Sequence, residues 1–369
     1  MMNPTLTHLE LCTYCPKMCR FSCPVTLASG REALTPQAKM AGLNQIRKGN
    51  EPWTPETTEP LWACTGCRHC SNYCTHGVQP GATLFAGRAE AMRRGVGHHA
   101  LARYPERFRA RDERLAKRAR EILPKERFAE EARVGFWPGC DAIDKGAGDV
   151  LAQLRLFDRI GAEHVRLVQA ERMCGGYPLL AAGHPDVFRW HALRVAAELS
   201  RYGTVVMNCS ACVYALRALY PAEGIHLPVE ILHVSEYLES FVARVKPTRA
   251  ENPRVYYHDP CYLARYQNTI LAPRKLLARV ADVREFAWSK GDTECCGGGG
   301  LLPKTMPSVA DEMARRRLRE VAAEGGGIVA TGCATCKHML ARNAPSGVIV
   351  KDLATVIEEL SRNVENSDE

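Results

Sequence analysis

Nine of the seventeen cysteines in this 369-residue chain fall in two copies of one pattern, and that duplication constrains the fold more than any other feature. Arg133-Val134-Gly135-Phe136-Trp137-Pro138-Gly139-Cys140 aligns with Arg254-Val255-Tyr256-Tyr257-His258-Asp259-Pro260-Cys261 at an offset of 121, and the same offset carries Cys174 onto Cys295. Cys209 and Cys212 map onto Cys333 and Cys336 with three extra residues. Self-similarity of this kind means two copies of a unit, not one irregular domain. In each copy a short apolar run (134–137, 255–257) ends near a cysteine, and an amphipathic helix pattern follows (150–160, 275–280). A second apolar run, Thr204-Val205-Val206-Met207 or Gly327-Ile328-Val329-Ala330, leads to the Cys-x-x-Cys pair. Each pair therefore sits where a strand gives way to a helix, and backbone N–H groups at a helix start lower thiol pKa and donate to metal-bound sulfur. Alternating strands and helices predict an α/β unit with a mainly parallel sheet and the metal at strand ends.

The other eight cysteines lie near the N-terminus as Cys12-x2-Cys15-x3-Cys19-x3-Cys23-Pro24 and Cys64-x2-Cys67-x2-Cys70-x3-Cys74. The second has the spacing of the bacterial ferredoxin run; the first is the same design with one extra residue. Thr75 stands where a proline would follow Cys74. Zinc sites are the competing reading, but zinc favours paired Cys-x-x-Cys elements at a distance, whereas four cysteines within twelve residues suit a cluster whose sulfides fill the centre. Resemblance to two-cluster ferredoxins implies one cubane on Cys12, Cys15, Cys19 and Cys74 and another on Cys64, Cys67, Cys70 and Cys23. Pro52, Pro55 and Pro60 break the lead-in to Cys64.

The second block reads His258-Asp259-Pro260-Cys261, Cys295-Cys296-Gly297-Gly298, then Cys333-x2-Cys336. It resembles the cysteine-rich CCG domain of heterodisulfide reductase catalytic subunits. Joined to an N-terminal two-cluster domain, it is similar to the fused D-type subunit of those enzymes and to the iron–sulfur subunits of anaerobic glycerol-3-phosphate dehydrogenase and glycolate oxidase. The resemblance implies a noncubane [4Fe-4S] centre on Cys261, Cys295, Cys296, Cys333 and Cys336. Gly297 to Gly300 are expected to let backbone approach that cluster without a Cβ clash. A phosphate-binding loop competes for this glycine run, since Lys304-Thr305 follows, but Pro303 stands where the motif needs its second glycine. In the first block Cys174-Gly175-Gly176 lacks the fifth ligand, leaving Cys140, Cys174, Cys209 and Cys212. Four thiolates suffice for a fourth iron–sulfur cluster, and equally for another metal or as a relic that only packs; the retained ligand spacing favours a cluster.

The expected fold class is α/β, with a helical ferredoxin-like domain at 1–95, an arginine-rich helical connector at 96–133 and two CCG units at 134–250 and 251–369. The net charge of +8 is concentrated in the connector, where interleaved acids and the lack of stacking aromatics exclude nucleic-acid binding. A solvated helix is the expectation there, against an acidic docking surface. The odd thiol count, with no charged leader followed by an apolar region, predicts a reducing, cytoplasmic setting, and no run is apolar enough to span a membrane. Any contact with the inner membrane would come through a partner.

Without a Gly-x-Gly-x-x-Gly after a strand, the chain needs a partner to handle two-electron carriers. The expected function is an electron-transfer subunit working between a flavoprotein and a quinone-linked or other acceptor. A thiol–disulfide reductase acting at the second block is the alternative, and a zinc-stabilised scaffold a third. His258 and Asp259 are candidates for shuttling a proton or tuning the second block, or for orienting and hydrogen-bonding it. Lys304 and Lys337 are candidates for offsetting its charge, or are simply surface lysines, and His98 and His99 are expected to be exposed.

Overall fold

The computed structural model describes residues 5–248 and 252–361, so the expected boundary at 250/251 and the outer ends of the chain lie outside the described residues. Helices and turns make up the first part of the chain. Pro36–Lys48 and Pro80–Arg93 each open on a proline, whose missing N–H costs nothing in the first turn. Thr35 caps the former by accepting from the Ala38 amide, and Gly49, at φ +78°, ends it. The prolines before Cys64 leave one turn of α-helix, Pro55–Thr58, and a 3-10 turn, Glu59–Trp62. Cys64 and Cys67 then fall in irregular backbone, as the sequence predicts.

Tyr104–Ile122 is the connector's helix, and it is only half solvated. Tyr104, Phe108, Leu115, Ala116 and Ala119 are buried on one face. Several arginines of the other face are also engaged: Arg111 pairs with Asp141 and Asp144 at 2.9 and 3.1 Å, and Arg118 and Arg120 donate to the carbonyls of Ile143 and Ala170. The charge-dense helix thus serves as a strut against the first unit.

Two parallel sheets follow. The first runs in the order β1 (Phe128–Ala129), β3 (Arg166–Val168), β2 (Ala132–Trp137), β4 (Tyr202–Met207), β5 (Glu230–His233). The second runs β7 (Asp282–Glu285), β6 (Arg254–His258), β8 (Gly327–Thr331), β9 (Val348–Asp352). Every pairing is parallel. With β1 set aside, the two orders are the same, so the duplication read from the cysteines is also a duplication of topology. β1 lies within the stretch that the sequence assigns to the connector. The helix expected at 275–280 is seen at Leu271–Leu277, and the chain then turns through Val280 and Ala281, whose amides both return to the Leu277 carbonyl.

The units interlock through matching positions at the ends of β5 and β9. His233 Nε2 donates to the Gly332 carbonyl at 2.8 Å, next to Cys333, while Asp352 accepts from Asn208, next to Cys209, at 3.0 Å and from Gln153 at 3.0 Å. Each unit therefore braces the residue before the other's Cys-x-x-Cys pair. Arg88, fully buried, ties the three parts together by donating to the carbonyls of Leu61, Cys64, Ala181 and Gly300. Among the described residues no helix is long and apolar enough to cross a membrane.

Candidate metal centres

Local backbone explains how each thiol is aimed. Cys140 and Cys261 open the short helices Cys140–Lys145 and Cys261–Gln267 directly after β2 and β6, while Cys209 and Cys333 cap the helices that follow β4 and β8. Sulfur is thereby gathered at the carboxyl ends of both sheets, where parallel strands place their sites.

In the N-terminal domain the thiols sort by contact and not by sequence. Cys12 is pushed up to about 12 by burial and by the charges of Cys19, Cys74 and Cys15; Cys19, pushed up to about 11 by burial, feels Cys23, Cys15 and Cys74. Cys23 lines a small cavity with Cys64, Cys67 and Cys70. Burial raises the Cys70 thiol most, and the charge of Cys23 comes next. Cys74 thus lies near the thiols of the first motif, and Cys23 lies between the two groups, beside both Cys19 and Cys70.

In the first unit the four thiols are electrostatic neighbours in the order Cys140, Cys174, Cys212, Cys209, and the Cys212 amide donates to Cys209 Sγ at 3.3 Å. Cys174 is the hub, held well below the ordinary thiol value by Cys140 and Cys212. In the second unit the order is Cys261, Cys295, Cys296, Cys336, Cys333, with the sulfurs of Cys296 and Cys336 3.3 Å apart. Here the hub is Cys296, the residue the first unit replaces by Gly175. A Cβ on Gly175 would stand 3.3 Å from Leu216 and 3.4 Å from Cys212, contacts that a shift of the Leu216 side chain by a few tenths of an ångström would relieve. All nine thiols line one open cavity of about 520 Å³, whose lining also includes Arg107, Arg111, Lys145, Lys304 and Arg342.

These groups fit a thiolate-held iron–sulfur centre on their own chemistry. Buried sulfurs this close cannot ionise together while unmetallated, as the upward displacement of Cys12, Cys70, Cys140, Cys261 and Cys336 shows, and a bound cation reverses that penalty.

His258 and Asp259 differ in their surroundings. Asp259 is locked by Arg274, both oxygens at 2.8 Å, and by the Lys290 amide at 2.7 Å, which orients the loop before Cys261. His258 is buried, and its Nδ1 accepts from Arg317 Nε at 3.1 Å, which puts the ring proton on Nε2. Nε2 has no hydrogen-bond partner, and the ring shares a group with the Cys296 and Cys336 sulfurs whose ligand atoms all lie within 4.8 Å of one another. Burial and Arg317 keep His258 well below its ordinary value, hence neutral.

Lys337 is spent on Asp149 at 2.8 Å, a bridge between the units. Lys304 lines the cavity, lowered by burial and by Arg107, Arg111 and Lys145. The glycine run divides its work. A Cβ on Gly299 or Gly300 would meet the Thr65 carbonyl at 2.5 Å or the Cys64 carbonyl at 2.1 Å, so these residues admit the N-terminal domain, while Gly297 and Gly298 lie against sulfur, their amides donating to Cys295 Sγ at 3.4 Å and Cys296 Sγ at 3.5 Å. His99 is exposed, and His98 is half-buried against Trp62. The sequence did not single out the buried Arg88 beside Cys64, the half-buried Arg265 beside Cys67, Cys261 and Cys295, or the buried Arg317 against His258. For Arg265 a signal existed, since it stands four residues after Cys261 on one helix face.

Fold and thiols together define a multi-site thiolate metalloprotein built on a duplicated α/β unit. The CCG cysteine-rich domain matches residues 134–217 and 255–341, and the 4Fe-4S dicluster domain matches residues 8–78. The chain is 26% identical over 391 residues to the D-type subunit of the dihydromethanophenazine:CoB–CoM heterodisulfide reductase of Methanosarcina barkeri, covering 96% of this chain and 94% of that one. The corresponding subunit of Methanosarcina mazei is also 26% identical, over 96% and 94%. The B-type subunit of the fumarate reductase (CoM/CoB) of Methanothermobacter marburgensis is 29% identical over 76% of this chain and 56% of that protein. The chain thus carries a 4Fe-4S dicluster domain followed by two CCG cysteine-rich domains, and its homologues are D-type subunits of heterodisulfide reductase and related iron–sulfur proteins.

Proposed function

We propose that this chain is the iron–sulfur electron-transfer subunit of a redox complex, relaying single electrons between a flavoprotein or similar partner and a quinone-linked or other acceptor. The observation that carries this reading is the proximity of Cys67 to Cys295: each of these two buried thiols displaces the ionisation of the other. With Cys19 beside Cys23, thiol groups adjoin from the partly exposed Cys12 loop, through the Cys64 group, to the second block. Cys12, Cys15, Cys19 and Cys74 would hold one cubane [4Fe-4S] cluster, Cys64, Cys67, Cys70 and Cys23 a second, the five thiols of the second block a noncubane cluster, and the four of the first block a fourth cluster. Such groups, when bound, supply one-electron chemistry over a potential range set by ligands, hydrogen bonds and nearby charge. His258 offers a neutral Nε2–H beside two of the sulfurs, and Asp259 holds the Cys261 loop in place. Exposed Tyr14, Met18 and Phe21 surround the Cys12 loop and mark it as the partner-facing end.

The size of the shared cavity favours one second reading, reduction of a thiol–disulfide substrate at the second block. A relay needs no chamber of about 520 Å³ lined by nine thiols. With only four thiols facing five, capture of the two substrate sulfurs would be one-sided. Anaerobic isolation of the chain with its native partners separates the readings. Reduction through a copurifying flavin subunit and re-oxidation by a quinone analogue are expected; re-oxidation of the isolated, reduced chain by a disulfide would select the second.

A further inference from the structure

Arg265 holds a position that neither the relay nor the fold has yet accounted for. Its side chain is half-buried, and its guanidinium donates from Nε to the Cys67 carbonyl at 2.6 Å and from Nη1 to the carbonyls of Gly291 and Thr293 at 3.0 and 2.6 Å. Nη2 is buried and has no hydrogen-bond partner. Among the described residues no carboxylate forms an ion pair with it, although a buried, uncompensated guanidinium is costly. The charges it does feel are those of Cys67, Cys261 and Cys295, which belong to two different thiol groups. Arg88 differs in that all its nitrogens donate to carbonyls, and Arg317, whose Nη2 is likewise without a partner, in that its Nε donates to His258. The Cys12 group has no cation among the causes that displace Cys12 or Cys19.

We propose that Arg265 is a positioning residue for electron hand-over: it clamps the Cys67 loop onto the second CCG unit and supplies the fixed positive charge that favours the reduced state of the two centres meeting there. This rests on the electron-transfer reading above. A fixed cation beside a centre that gains negative charge on reduction raises its potential, and low dielectric strengthens the effect. The consequence is directional, since an electron entering at the Cys12 loop is drawn inward to the junction.

The test is an anaerobic potentiometric titration followed by EPR on the full chain, comparing wild type with Arg265→Gln and Arg265→Lys. Signals are assigned beforehand with Cys74→Ser for the Cys12 group and Cys295→Ser for the second block. Arg265→Gln is expected to shift the potentials of the second-block and Cys64-group centres downward and leave the Cys12-group centre in place, and Arg265→Lys to return them toward wild type. Unchanged potentials in Arg265→Gln, or an equal shift of every centre, would overturn the proposal. If Arg265→Gln fails to hold iron, Arg265→Lys decides: retained centres near wild-type potential support the charge role, and loss of iron there too reduces Arg265 to a packing residue. A wild-type chain without EPR-active centres overturns the underlying reading itself, a different outcome from an insensitive Arg265.

Discussion

The two CCG units share a strand order and differ in what stands at their strand ends. The first has Trp137-Pro138 before its leading cysteine and Gly175 at the fifth ligand position; the second has His258-Asp259 and Cys296. Their neighbours differ as well. The first unit is braced by the connector helix through Arg111, whereas the second receives the Cys64–Cys67 loop through Gly299, Gly300 and Arg265. Duplication kept the scaffold, whose buried β4 and β8 tolerate little change, and let the loops beyond the strands diverge. Only one copy was then placed in thiol contact with the dicluster domain.

The largest effect that would break this comparison comes from the matched thiols Cys174 and Cys295. Cys295→Ser is expected to remove the second-block centre, a loss of about four irons per chain, and to cut the reduction of anything downstream of Cys67; Cys174→Ser should leave that route intact. Iron and sulfide determination with EPR checks both. Cys296→Gly gives the second block the ligand count of the first, and a cubane-type signal is expected to replace the unusual one while iron is retained.

Packing differences come next. Gly300→Ala drives a Cβ into the Cys64 carbonyl at φ +59° and should cost about 2–3 kcal/mol, against less than about 1 kcal/mol for Gly175→Ala, as read from chemical unfolding under anaerobic conditions.

Matched positions His233 and Asp352 should show opposite pH dependence. Burial lowers His233 to about 4, below its unfolded 6.5, so its contribution is present above 6.5 and lost as pH falls toward 4. Burial and Asp149 raise Asp352 to about 6, above its unfolded 3.8, so its contribution is present below 3.8 and lost as pH rises through 6. Between pH 5 and 6 the two oppose each other. Asp352→Asn should make stability climb more steeply with pH, and His233→Gln should make it fall, in urea unfolding at fixed ionic strength. Smallest of all, Lys337→Met removes a half-buried bridge to Asp149 and should change stability by under about 1 kcal/mol with no movement of any potential.

Much of this architecture was legible in the sequence because metal ligation demands fixed spacing and duplication demands a repeat. The thiol groups, the parallel α/β character and the strand-to-helix placement of each Cys-x-x-Cys pair follow from those two constraints. Contacts between distant segments leave no such trace. Nothing local announces that Cys67 meets Cys295, or that Gly299 and Gly300 admit the Cys64 loop, because both depend on docking two separately patterned parts. Short strands such as β1 and β3 carry too few residues for periodicity to show. The connector's arginines look solvated in the sequence because their acceptors, Asp141, Asp144 and two carbonyls, belong to another unit.

The central claim is that the thiol groups form one iron–sulfur relay ending at the second block. Anaerobic purification with iron and sulfide quantification, joined to EPR of the oxidised and reduced chain, tests it most directly. Equal iron and sulfide are expected, about 16 of each per chain with all four groups filled or about 12 with the Gly175 block empty, with cubane signals and one unlike them that disappears in Cys295→Ser. A chain carrying about four zinc ions and no sulfide would contradict the account.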